Sequence, residues 1–350
     1  MGRGVVRAAA YLPRFTDGRR RVAGADEDAF TLAATALELA AGPQPADDRT
    51  HALRLLGVPG PPDVGAFAAV LGAPVRPTPP VPEPPSAAGA VELALRGSGP
   101  EWIVAVAAPG ADAAGGPAAL PGDGAVALLI DDAPDARPFA LVDDRSAPTP
   151  RATAFAQLFA AGRPGGTGWP GDWGVDPAAG IAASSRPMTR SEAPPYTVSQ
   201  GAFVPTARYE ESRPSRWRFV ADRCGSCGAR TFPSRGRCRN CGSVDSLRPE
   251  HLPLTNATVV AVTWIGQGGQ PTEFDLQVET SGPYGVVLAE VAPDVRVTLT
   301  LTDAGPGEIR VGSKVDTVLR RLYPIEGVWR YGRKAVPAAS GAARIGPSGT

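Results

Sequence analysis

The sequence predicts three units in series: an α/β unit, a small metal-holding ribbon built on cysteines, and an all-β barrel of about five strands. Three observations carry this expectation. Residues 1–142 alternate apolar strand-like runs with stretches of helical spacing. All four cysteines fall between 224 and 241, in two Cys-x-x-Cys pairs. Residues 255–336 are a succession of short Val-, Thr- and Leu-rich runs cut by glycine and proline.

In the first unit, Val5 to Tyr11 is an apolar strand followed by Pro13. Asp26 to Ala41 reads as a helix: Phe30, Ala33, Ala34, Leu37 and Ala41 share one face, Asp26, Glu27 and Asp28 sit in the first turn where the dipole favours anions, and Gly42-Pro43 stops it. Ala66 to Leu71 and Ala87 to Leu95 are further helical pieces. The proline-rich stretch Pro74 to Pro85 is excluded from helix and from central strand. Trp102 to Ala107 and Ala125 to Ile130 are continuous apolar runs, as in strands whose sheet is covered on both faces.

Residues 143–204 are rich in Gly, Pro, Ala and Ser and are expected to form a linker or arm, with Trp169 and Trp173 docking it on a neighbouring surface. The ribbon occupies 205–250 and the barrel 251–337. The expected strands are Ala257 to Ile265, Gly285 to Val291, Val295 to Leu301, Lys314 to Leu322 and Val328 to Tyr331, with turns between them. The tail, 338–350, is expected to be disordered.

Cys224-Gly-Ser-Cys227 and Cys238-Arg-Asn-Cys241 each make a knuckle that presents two thiolates to one ion, and two knuckles complete a tetrahedral site. Gly228 and Gly242 follow the knuckles and supply the positive φ such turns need. Cys224, Cys227, Cys238 and Cys241 are therefore expected to bind one structural Zn2+. Four thiolates leave no open position for water, so the ion is not expected to be catalytic.

The 35 basic and 35 acidic residues cancel, which weighs against a chain built mainly to grip nucleic acid. Locally, arginines crowd the ribbon. Arg216, Arg218, Arg235 and Arg237 are candidates for holding a phosphate-bearing ligand such as coenzyme A, because guanidinium forks match phosphate oxygens. A plain solvated basic face and a nucleic-acid surface remain open beside that reading. Met1 to Phe15 lacks a signal-peptide core, and no run approaches the ~20 apolar residues of a membrane helix, so a soluble cytoplasmic protein is expected.

Residues 205–336 resemble the zinc-ribbon plus OB-fold proteins associated with acyl-CoA metabolism, the domain-of-unknown-function thirty-five type. The resemblance rests on Arg223-Cys224-Gly-Ser-Cys227-Gly228, Phe232-Pro233, Pro283-Tyr284 and Val311-Gly312-Ser-Lys-Val315. It implies a rubredoxin-like ribbon, an OB-fold barrel, and a partner or subunit of a thiolase-like or ketoacyl-synthase-like enzyme that helps route a CoA thioester. Residues 1–142 are similar to the first half of thiolase-fold enzymes, nearest to hydroxymethylglutaryl-CoA synthases. Tyr11-Leu-Pro-Arg14, Val22-Ala-Gly-Ala-Asp26-Glu-Asp28 and Gly122-Asp-Gly-Ala-Val-Ala-Leu-Leu-Ile130 carry that likeness.

The departures shape the functional expectation. Ser86 stands near the family's nucleophilic cysteine, and His51 and His251 sit in no recognisable catalytic motif. No catalytic residue is therefore expected, and the first unit reads as a degenerate half-thiolase domain. The leading expectation is a non-catalytic scaffold for a thiolase-like enzyme. The alternatives are an acyl-CoA-processing enzyme in its own right and a nucleic-acid-binding ribbon and barrel.

Overall fold

The structure, a computed structural model, describes residues 2–16, 21–42, 48–58, 63–79, 87–107, 123–134, 136, 155, 158, 181–182, 205–266, 268–325 and 328–338. They fall into two compact units, drawn from Met1–Ser191 and from Glu192–Ser340. Ser86, Trp169, Trp173, most of the expected arm and nearly all of the tail lie outside the described residues.

The first unit runs β1 (Gly2–Tyr11), β2 (Phe15–Thr16), β3 (Arg21–Val22), α1 (Ala29–Ala41), β4 (His51–Leu56), α2 (Val64–Leu71), β5 (Val75–Pro77), α3 (Ala87–Arg96), β6 (Glu101–Ala107), β7 (Gly124–Ala133) and β8 (Ile181–Ala182). Its main sheet has the order β1-β7-β6-β4-β5. β4 pairs in parallel with β5 and β6, and β7 runs antiparallel to β6 and β1. The short β5, which ends at Pro77, takes an edge, where proline costs no ladder bond.

Both faces of this sheet are covered, as the continuous apolar runs imply. Successive strand residues point to opposite faces. Ala8, Ala10, Ile103, Ala105, Val126 and Leu128 meet α3 through Ala87, Ala90, Val91 and Ala94. The helix α1 packs against β1, β6 and β7. Phe155 and Leu158, from the stretch expected as an arm, are buried in the α3-side core.

The helix α1 begins three residues later than its sequence pattern implies, and the reason is local. The Asp28 carboxylate accepts from the Thr31 amide at 2.9 Å while the Asp28 amide donates to the Thr31 hydroxyl at 2.8 Å, a reciprocal cap. Glu27 lies before the helix, fully buried, and accepts from the Tyr11 hydroxyl at 2.5 Å and the Gly24 amide at 2.7 Å. Glu27 thus holds the entry loop and Asp28 caps the helix, so the first turn itself carries no acid.

The second unit opens with α4 (Thr206–Trp217), followed by β9 (Val220–Cys224), β10 (Arg230–Thr231) and β11 (Leu247–His251) in a small sheet of order β10-β9-β11. Then come β12 (Ala257–Ile265), a 3-10 turn (Thr272–Phe274), α5 (Asp275–Ser281), β13 (Tyr284–Ala292), β14 (Val295–Thr300), β15 (Lys314–Ile325) and β16 (Val328–Pro337). The expected strands are all present. The expectation of turns alone between them is corrected by α5, which spans the connection from β12 to β13; Phe274 just before it packs on Tyr284 and Tyr323, so apolar contact rather than propensity holds the segment.

The five strands β12–β16 form an antiparallel sheet of order β14-β13-β12-β15-β16. Its two ends meet: Leu301 bridges Ala335, and the Thr302 amide donates to the Ala335 carbonyl at 2.9 Å. One core runs from the ribbon into this sheet. Phe219, Ala221 and Leu252 are buried together with Val259, Val287, Val291 and Val315. The helix α4 covers β16 at Tyr331, whose amide donates to the Tyr209 hydroxyl and whose carbonyl accepts from the Trp217 indole. No helix among the described residues is long and apolar enough to cross a membrane.

Replacing the α1 cap by Asp28→Ala is expected to cost about 1 kcal/mol, the usual worth of a helix N-cap. A urea titration followed by fluorescence of the buried Trp102 reads this; an unchanged midpoint would remove the cap from the account.

Candidate metal centre

The four cysteines converge. Their Sγ atoms all lie within 4.8 Å of one another. Cys224 Sγ is 3.6 Å from Cys241 Sγ, and Cys227 Sγ is 3.6 Å from Cys238 Sγ. A tetrahedron of sulfurs about 2.3 Å from a central ion has edges of about 3.8 Å, so the donor set fits a single metal ion. All four are free cysteines. Among the described residues no other group of His, Cys, Asp or Glu is placed to hold an ion.

Local backbone chemistry builds both knuckles alike. The Gly228 amide donates to the Cys224 carbonyl at 2.9 Å, and the Gly242 amide donates to the Cys238 carbonyl at 3.1 Å. Gly228 and Gly242 adopt φ of 73° and 76°, the left-handed region in which a side chain is strained. The first cysteine of each pair, Cys224 and Cys238, is buried, and the second is exposed. The ion would therefore sit at the surface end of the ribbon, with β9 leading from Cys224 into the shared core.

The thiols differ in acidity before any ion binds. The Ser246 hydroxyl, then the Cys227 amide, pull the Cys224 thiol down to about 6. The Ala229 amide lowers Cys227. At Cys241 the Ser243 amide pulls downward, but the neighbouring Cys227 and Cys224 sulfurs outweigh it and push the thiol up to about 11. Four clustered thiols cannot all ionise unaided; a cation supplies the missing compensation. Ser246 was not singled out by the cysteine spacing. Its hydroxyl lies 3.5 Å from Cys224 Sγ and also contacts Ser226 and Ser243, and the only sequence hint is that Ser226 sits inside the first knuckle while Ser243 and Ser246 closely follow the second.

The candidate arginines separate. Arg235 and Arg237 are exposed and line one open depression together with Arg239, against the second knuckle. Arg216 and Arg218 do not line it. Arg216 is exposed at the end of α4, and Arg218 is half-buried; burial first, then the Arg218 charge, lower the pKa of His251. Arg230, in the same ribbon, is committed to Glu250 through two bonds of 2.9 Å. His51 and His251 belong to different units, at the start of β4 and the end of β11.

A four-thiol knuckle pair shares one core with a five-stranded antiparallel sheet whose two ends meet, and its sulfurs are placed to hold one metal ion. No family model matches the chain. Among curated proteins the chain is similar to DUF35 domain-containing scaffold proteins. With that of Methanocaldococcus jannaschii it shares 29% identity over 124 residues, 35% of this chain and 83% of the relative. With that of Methanothermobacter thermautotrophicus it shares 28% over 137 residues, 38% of this chain and 96% of the relative. The match to the Pyrococcus furiosus protein is 28% over 139 residues, 39% of this chain and 96% of the relative. The resemblance to this family read from the ribbon motifs is borne out.

Solved structures that resemble the chain include the Ltp2-ChsH2(DUF35) aldolase, at 21% identity and TM-score 0.30, covering 40% of this chain and 98% of that one. MvaS in complex with 3-hydroxy-3-methylglutaryl coenzyme A matches at 20% identity and TM-score 0.29, covering 41% of this chain and 42% of that one.

Cys224→Ser and Cys238→Ser each remove a buried ligand. Each is expected to reduce bound metal from about one ion per chain to near none and to lower the melting temperature of the barrel as well, because metal binding and folding are coupled and the ribbon shares the barrel core. Elemental analysis with far-ultraviolet dichroism checks both; full metal content in either variant would contradict the site.

Acid should release the ion. Protons compete with the metal for thiolates, so affinity is highest at alkaline pH and falls as pH drops and the ligands are protonated, Cys241 before the more acidic Cys224. Metal retention that does not change between alkaline and mildly acidic buffer would exclude thiolate ligation.

Proposed function

We propose that this chain is a non-catalytic scaffold subunit that docks on a thiolase-like acyl-CoA enzyme and helps bind or channel a CoA thioester. The observation that carries the reading is the similarity to curated scaffold proteins across 83% to 96% of their own length. The chemistry of the candidate site is compatible with it. With sulfur in all four positions, an ion there holds the ribbon together and has no position left for substrate.

In this reading the ion is zinc, which four soft thiolates in tetrahedral array favour. Residues 1–142 are a degenerate thiolase-like domain, 143–204 a linker or arm, 205–250 a rubredoxin-like zinc ribbon, 251–337 an OB-fold and 338–350 a tail. The first domain supplies a face for the enzyme partner, and the barrel borders the thioester. Of the four arginines expected to serve a phosphate-bearing ligand, Arg235 and Arg237 are the residues offered for the phosphates of coenzyme A. The protein acts in the cytoplasm and needs no catalytic residue of its own.

The chain, tagged and purified from its native host, is expected to bring down a thiolase-like enzyme in a complex of fixed stoichiometry, and to turn over no acyl-CoA by itself. Purification as a lone monomer that consumes acyl-CoA would reverse the reading. Ser86→Ala is expected to leave the activity of the complex unchanged. A loss of about a hundredfold, the scale on which a catalytic group is missed, would make the chain an enzyme.

A further inference from the structure

The second knuckle carries a feature that the metal does not explain. Arg235, Arg237 and Arg239 line one open depression of about 630 Å³ beside Cys238 and Cys241, and the residues lining it include no carboxylate. We infer that these three guanidinium groups form a phosphate-binding site, with a diphosphate or phosphomonoester of a nucleotide-type ligand as its occupant.

The arginines are positioned, but by groups that leave their charge unspent. Arg237 Nε donates to the Gly242 carbonyl at 3.2 Å, and its guanidinium lies across the space that a side chain at Gly242 would occupy. Arg239 donates through Nη2 to the Asp294 carbonyl at 2.8 Å, while its amide is held by the Thr231 hydroxyl at 3.1 Å. Arg235 is anchored by its amide, which donates to Asp222 Oδ2 at 3.3 Å. None of the three side chains makes an ion pair among the described residues, whereas Arg230 nearby is neutralised by Glu250 at 2.9 Å. Arg237 and Arg239 are held by neutral carbonyl acceptors and the Arg235 guanidinium makes no ion pair among the described residues, so three uncompensated cations line one depression and repel one another. Guanidinium forks present paired N–H donors that match phosphate oxygens, and an anion at their centre relieves the repulsion. The size of the depression suits a small charged group with part of a ligand attached.

The site deepens the scaffold reading by giving a CoA thioester one anchoring point. It also adds Arg239 to the residues offered for that role and sets Arg216 and Arg218 aside. The two proposals fail separately: phosphate binding is measured on the isolated chain, and scaffolding on the complex. A competing role for the arginines is to balance the negative charge of four metal-bound thiolates.

The test is calorimetric titration of the metal-loaded full chain with inorganic pyrophosphate, coenzyme A and dephospho-coenzyme A. Pyrophosphate should bind the parent chain and bind Arg235→Gln/Arg237→Gln/Arg239→Gln at least about tenfold more weakly, with metal content unchanged, as expected when charge-assisted hydrogen bonds are removed. Arg216→Gln/Arg218→Gln should change binding by less than about twofold, the usual scale of surface substitutions away from a site. Tighter binding of coenzyme A than of its dephospho form would assign the site to the phosphomonoester, and equal binding to the diphosphate; both support it. Unaltered pyrophosphate affinity in the triple variant overturns the proposal. So does loss of the metal from that variant, which would make the arginines counter-ions of the thiolates.

Discussion

The convergence of four thiols on one point is the constraint from which the second unit is built. Cys224 ends β9, and β9 is the middle strand of the ribbon, paired with β10 and β11. Through Phe219 and Ala221 the same segment enters the core of the five-stranded sheet. A ribbon this thin has little apolar surface of its own to bury, so an ion clamping its two knuckles would fix the register of β9, and through it the place where the barrel core begins. The closed ligand set that gives this stability is also what leaves no position for chemistry at the metal.

Charge is arranged on the same principle, as support for architecture with one exception. The overall balance of 35 basic and 35 acidic residues conceals strong local order. In the barrel hairpin Arg321 lies over Trp329 at 4.3 Å, Arg330 lies over Tyr209 at 4.5 Å, and Arg320 meets Asp303 at 3.4 Å. These cations fasten α4 and the turn after β14 to the sheet, and cation–aromatic contact lets them be buried without an acid for each. In the first unit Arg54 and Glu101 do the same between β4 and β6 at 2.8 Å. The second knuckle departs from the pattern: the Arg237 and Arg239 guanidinium groups are held by backbone carbonyls, and Arg235 is anchored through its amide on Asp222 rather than through its charge.

What the sequence made legible follows from which forces act locally. The convergence of the four cysteines is readable in the sequence, because a knuckle needs two cysteines three apart and a glycine after them, and all of that lies within a few residues. The bounds of β12, Ala257–Ile265, match the expected run because a continuous stretch of Ala, Val, Thr, Trp and Ile ends at Gly266. The strand β4 escaped notice because His51 and Arg54 break its apolar run, and only the partner Glu101, 47 residues away, makes Arg54 acceptable inside a sheet. The helix α4 was hidden by Pro214 and by its polar sequence; its reason to exist is the pair of bonds that Tyr209 and Trp217 make to Tyr331, more than a hundred residues on. The start of α1 was misplaced because Asp26, Glu27 and Asp28 look alike in sequence, and only the partners Tyr11 and Thr31 assign them different tasks. The grouping of Arg239 with Arg235 and Arg237, apart from Arg216 and Arg218, depends on the fold of the knuckle and has no counterpart in spacing.

The central claim is that the ion in this ribbon is closed off by protein and serves the fold of a binding subunit. X-ray absorption at the metal edge of the purified chain tests it most directly. Zinc with four sulfur neighbours at about 2.3 Å and no lighter atom in the first coordination sphere is the expected result. An oxygen or nitrogen ligand in that sphere, or a redox-active metal in place of zinc, would contradict it.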